Sequence, residues 1–171
     1  TVVVEVKPDQ SSSQQTLSSG TWTEIQFGTT VRDDNDFFVD NKFQPKISGW
    51  YQINAYARMN SATRSAIDIQ KNGKQLADSY YPDPGGVASY NQGCSVATYM
   101  NGTTDSISVR GLASGTGVEI ENSEGKTHFT AHLVSGGSAS GGGSGGGSYT
   151  PEKMVWEDVK ANRATDTVYT N

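Results

Sequence analysis

FQPKISGWYQINAYARM, residues 43–59, is the stretch whose reading decides the fold. From Trp50 onward it alternates with period two. Tyr51, Ile53, Ala55, Ala57 and Met59 share one face, and Gln52, Asn54, Tyr56 and Arg58 share the other. Helical spacing would scatter these apolar residues around a cylinder, whereas a strand gathers them on one side. Ser48-Gly49 before it reads as a turn pair. The same pattern continues outward. Ser65-Ala66-Ile67-Asp68-Ile69-Gln70 ends at Asn72-Gly73, a two-residue hairpin signal. On the other side, Thr23, Ile25 and Phe27 oppose Trp22, Glu24 and Gln26. Val2-Val3-Val4-Glu5-Val6, 94–100, 105–110, 117–121 and 127–134 read as further strands, and Asn101-Gly102 as a turn between two of them. No segment of 1–134 has the period of an amphipathic helix. Many short strands joined by turns predict an all-β sandwich or barrel.

Composition agrees. Apolar residues are only 33% of the chain and charged residues 18%, yet β-branched and aromatic side chains are frequent enough to build a core. The net charge of −5 speaks against a nucleic-acid partner, which calls for a basic face. No apolar run approaches the roughly 18 residues of a membrane span, so no membrane insertion is expected. Thr1, in place of a start methionine, is read as trimming or processing. Cys94 is the single cysteine. It reads either as a small half-buried residue or as a reactive thiol, and it cannot form an intrachain disulfide.

Residues 135–148, SGGSASGGGSGGGS, contain eight glycines, five serines and one alanine. Such a run offers nothing to offset the entropy of ordering it, and its GGGS repeat reads as an engineered Gly/Ser linker. The chain therefore divides into a body at 1–134, the linker at 135–148 and a tethered strand-forming segment at 149–171. The last reads as a docked strand, being too apolar for a good solvated tail, or else as an appended tag that stays disordered. Val155, Trp156, Val159, Val168 and Tyr169 are its expected anchors, whether the segment is permuted from the same protein or taken from a partner. Docking as an added strand would draw on ladder hydrogen bonds and pockets for alternate side chains.

Candidate chemistry is sparse. His128 and His132, four apart on a strand, would lie about 13 Å apart at roughly 3.3 Å per residue, too far to share one ion. Asp33, Asp34 and Asp36 sit in an Asp-rich turn that is either solvated or a weak calcium candidate, since calcium prefers such hard oxygen ligands. No other cofactor is implied. No nucleophile elbow or phosphate-cradling glycine loop is present in the sequence, so an enzyme is not expected. Tyr80, Tyr81, Tyr90, Asn91 and Gln92 flank a Pro/Gly-rich loop at 82–86 that contains Asp83. Tyrosine rings and amide groups together suit binding of a glycan or protein ligand. An ordinary loop packed over the sandwich edge is the alternative.

The order of these segments carries a resemblance. Phe43, Pro45, Gly49, Trp50, Tyr51, Ile53 and Ala55 form a Phe-x-Pro-x-x-x-Gly-Trp-Tyr-x-Ile-x-Ala core. The Lys71-Asn72-Gly73 hairpin, the Asn101-Gly102 turn and the closing Phe129-x-x-x-Leu133 follow it. Over roughly 20–134 this resembles C1q/TNF-like globular domains, especially bacterial and phage versions. The resemblance implies a jelly-roll β-sandwich of about ten strands, usually a homotrimer, that presents loops to a cell-surface ligand from a virion or another extracellular surface. The segment MVWEDVKANRATDTVYTN at 154–171 is similar to the opening of small β domains in phage tail fibres. Two functions are expected on this basis. One is a receptor-binding fibre or surface-appendage domain. The other is a structural assembly or decoration module whose partner strand, 149–171, is fused through the linker.

Overall fold

The computed structural model describes residues 2–82, 88–123 and 125–139. Among the described residues thirteen strands fill two antiparallel sheets, several of them only two residues long, where about ten were expected. They are β1 (Val3–Lys7), β2 (Gln15–Thr16), β3 (Thr23–Glu24), β4 (Thr29–Asp33), β5 (Phe38–Val39), β6 (Lys42–Phe43) and β7 (Ile47–Ala62). Then come β8 (Arg64–Lys71), β9 (Lys74–Tyr81), β10 (Ala88–Met100), β11 (Ile107–Ser114), β12 (Glu119–Ile120) and β13 (His128–Ala139).

The first sheet runs β2-β12-β7-β13-β1-β4, with β10 on the other edge of β7. The second runs β5-β6-β11-β8-β9, with β3 also paired to β11. Among the long strands, β7, β10 and β13 lie in the first sheet and β8, β9 and β11 in the second, so the chain crosses between the sheets repeatedly while β8 and β9 form a hairpin within one. Strand β7 is the spine. Its sixteen residues pair with β10 along one edge and with β13 and β12 along the other. The alternation read from the sequence holds, since Tyr51, Ile53, Ala55, Ala57 and Met59 are all buried.

Between the sheets, Phe129 of β13 lies 6.2 Å from Phe43 of β6 and 5.5 Å from Phe38 of β5, ring centre to centre. Phe43 in turn meets Tyr51 at 5.3 Å. Burial holds the Tyr51 hydroxyl, which donates to the Ile47 carbonyl, up at a pKa of about 12. The Asn72-Gly73 hairpin is as read: both residues have positive φ, 52° and 77°, which that turn needs.

Asn72 also binds the neighbouring loop. Its side chain donates to Asp105 and accepts the N–H of Ser106. Burial penalises the Asp105 charge, but Lys71, Asn72 and the Asn101 N–H bond to it and together hold its pKa below the ordinary 3.8. A carboxylate whose folded pKa is depressed stabilises fully above its unfolded value, and that contribution is lost as pH falls through the lower folded value. Asp105→Asn should therefore flatten the acid limb of the stability curve, read as the melting temperature from about pH 5 to about pH 2.

Two boundaries differ from expectation. Strand β10 begins at Ala88, before the expected 94, because Tyr90 through Gly93 pair in register with Met59 through Tyr56. Strand β13 runs past Val134 to Ala139, with Ser135 opposite Trp50 and Gly136 opposite Gly49. Here glycine serves close approach. A Cβ on Gly136 would stand 2.6 Å from the Gly49 Cα, and Gly136 has φ +103°. The first residues of the Gly/Ser run are thus paired as sheet.

Candidate functional site

Alternation along β9 and β10 divides the expected tyrosine cluster among three surroundings. Tyr80, 53% exposed, stands opposite Ala66 on the outer face of the second sheet. Tyr81 faces the other way and meets Tyr90 across the mouth of the sandwich, ring centres 4.9 Å apart. Asn91 is exposed beside Arg58 on the outer face of the first sheet. Gln92 is buried. It accepts from Ser79 at 2.7 Å and donates to Ser65 at 2.9 Å, tying β10 to β9 and β8. That hydrogen bonding removes Gln92 from any ligand surface, a correction to the sequence reading. Asp83 lies outside the described residues, as do Val155, Trp156, Val159, Val168 and Tyr169 of the tail.

The acidic turn is similarly engaged. Asp33 accepts the N–H groups of Phe37 and Phe38 at 3.0 and 2.7 Å. Asp34 pairs with Arg32 at 2.8 Å, and that bond lowers its pKa. Asp36 supplies the left-handed turn residue, φ 54°. Among the described residues no three His, Cys, Asp or Glu side chains come together as metal ligands would. Cys94 is half-buried between the sheets. Burial, then the charges of Asp68 and Asp78, push its thiol up to about 12, so little thiolate forms at neutral pH.

What the structure does assemble is the outer face of β10, β7 and β13. Trp50 and Tyr99, 51% and 46% exposed, meet edge to face at 6.1 Å. Further along, Tyr56 stacks on His128 at 5.4 Å with planes 18° apart. Between the two pairs, Asn54 bonds to Thr130 at 3.0 Å and accepts from Ser95 at 2.8 Å, while Gln52 donates to Ser95 at 2.6 Å. His132 stands opposite Gln52 and Val3, on the same face as His128. From Trp50 to Tyr56 this patch holds no Asp, Glu, Lys or Arg. Arg58, ion-paired with Glu121 at 3.1 Å, borders it at one end, and Glu5 of β1 borders it at the side. Alternation alone placed Gln52, Asn54 and Tyr56 outward. The partners Tyr99 and His128 were hidden, because each comes from a strand tens of residues away.

Among solved structures, murine APRIL at pH 5.0 is similar with a TM-score of 0.61 and 12% identity, over 78% of this chain and 98% of that one. The fold is a C1q/TNF-like jelly roll. The globular domain of the zebrafish complement 1qA protein is also similar, with a TM-score of 0.55 and 14% identity over 79% of this chain and 98% of that one. No family model matches the sequence, and no curated protein is similar to it. Among the described residues no helix is long and apolar enough to cross a membrane.

Proposed function

We propose that this jelly roll works without catalysis, as a homotrimer that binds a protein or glycan on a cell surface, in the manner of a fibre or surface-appendage domain. The observation that supports it is the contrast between the two outer faces. The β10-β7-β13 face offers two aromatic pairs around neutral amides and hydroxyls, the composition that distinguishes the centre of an interface from ordinary surface. The outer face of the second sheet instead carries Asp68, Asp78 and Arg110. Self-association therefore uses the first face and leaves Tyr80 on the second sheet free for the ligand.

Ser95 sits in the middle of the first face and is exposed. Ser95→Arg should bury an unpaired charge in the contact and lower the mass measured by light scattering about threefold, from trimer to monomer. Its melting temperature at low protein concentration should match that of the parent. A parent chain that is monomeric at every concentration, or a trimeric Ser95→Arg protein, would reject the face.

A further inference from the structure

The chain has two histidines, and the fold sets both on one surface. His128 and His132 point to the outer face of the first sheet, since Phe129 and Ala131 between them are buried. Both imidazoles are half-buried. His128 stacks on Tyr56 of β7, and His132 stands opposite Gln52 of β7 and Val3 of β1. The β10-β7-β13 face is therefore neutral only while both rings are neutral.

Their surroundings do not compensate two added charges. On β1, Glu5 lies opposite Thr130 and so diagonal to both histidines, a single carboxylate for two rings. Lys7, a cation, lines the same groove as Glu5, His128 and Thr130. On β4, Arg32 stands opposite Glu5 and pairs with Asp34. On β7, Arg58 is held by Glu121, which also feels Lys126. From β10, Cys94 and Ser95 line a cavity with Tyr56 and His128, and burial pushes the Cys94 thiol up to about 12. Carboxylates ordinarily titrate below about pH 5, and thiols, phenols, amines and guanidinium groups above about pH 8. Histidine is the side chain that ordinarily changes charge between those limits.

We infer that acid releases copies of this chain from one another, through protonation of His128 and His132 on the self-association face. This rests on that face being the contact, as proposed above. Association takes the imidazoles out of water, and a desolvated charge without a partner is costly. The separate chain therefore binds more protons than the assembled one, and by linkage a falling pH favours the separate chain. Two histidines in each of three copies make six sites per trimer. Each proton taken up on release raises the trimer dissociation constant about tenfold for every pH unit lost.

The test is sedimentation equilibrium on the full chain between about pH 8 and about pH 5.5. The logarithm of the dissociation constant should climb with acid at a steepest slope between about three and six per pH unit. His128→Gln or His132→Gln should halve that slope, and the double variant should bring it near zero. Because slopes are compared, a weaker contact in a variant displaces its curve without altering the reading. Proton uptake on diluting the parent chain at about pH 6, followed with an indicator dye, needs no substitution. It should amount to about one to two protons per copy. A parent slope of about three or less, an absence of proton uptake, or a double variant as steep as the parent would overturn the inference and leave the face standing. A parent chain monomeric at about pH 8 would instead reject the face, and this inference with it.

Discussion

Phe129→Ala should remove about 3–5 kcal/mol of stability. Phe129 is 1% exposed on the inner face of β13, and its ring centre lies 6.1 Å from Phe27, 5.5 Å from Phe38 and 6.2 Å from Phe43. Phe38 and Phe43 belong to the second sheet, so this one side chain joins the two layers. Truncation loses the transfer energy of the ring and leaves a cavity that two hydrogen-bonded sheets cannot collapse to fill. The aromatic contacts add about 0.5–1.5 kcal/mol each beyond buried area. A domain of this size is stable by only about 5–15 kcal/mol, so the loss is a large share of the total. Chemical denaturation would show it as a lower midpoint at unchanged slope. Phe129→Leu, which keeps most of the volume, should cost under about 1.5 kcal/mol. An alanine variant losing less than about 1 kcal/mol would mean that the sheets can close over the gap.

Phe129 was visible before the structure as half of the closing Phe-x-x-x-Leu motif, and the spine strand was visible in its alternation. Both are local patterns, carried by residues two apart. The parts that sequence did not disclose depend on which strands lie side by side. Tyr80 and Tyr81 are neighbours in the chain, yet they face opposite ways, and only Tyr81 finds Tyr90. Gln92 looked like a polar ligand contact, but its amide is satisfied by two serines from other strands, so burial costs it little. The Gly/Ser run misled for another reason. Glycine is written where a chain must be flexible and also where two backbones must touch, and composition cannot separate the uses. Gly136 against Gly49 is the second kind. The aromatic pairs of the outer face were illegible for the same non-local reason, since Trp50 meets a ring from β10 and Tyr56 meets one from β13.

Arg110→Met should be as damaging as the loss of Phe129, at about 3–5 kcal/mol, by a different mechanism. Asp68 lies opposite Arg110 in the β8–β11 register and is wholly buried, although it points to the outer face. The Arg110 guanidinium donates to both carboxylate oxygens, at 3.2 and 2.6 Å, and covers them while lying 5.1 Å from the centre of the Trp22 ring. Gln70 donates a further bond at 3.2 Å. On its other side Asp68 faces Asp78, a like charge. Methionine would fill the space but leave a buried carboxylate with one amide donor and a repulsive neighbour. Lysine would restore only part of the loss, having no planar fork for two oxygens and no flat face for Trp22. Asp68→Asn combined with Arg110→Met should recover most of the stability, since removing both charges is often neutral where removing one is not. Such a recovery would locate the value of the pair in register. Six consecutive residues of β8, Ser65 to Gln70, are buried, so its apolar pattern alone does not fix which face looks inward. A slip by one residue would carry Asp68 into the core. The ion pair forbids that slip, and the double variant should show it as a second strand register in its cross-strand nuclear Overhauser contacts.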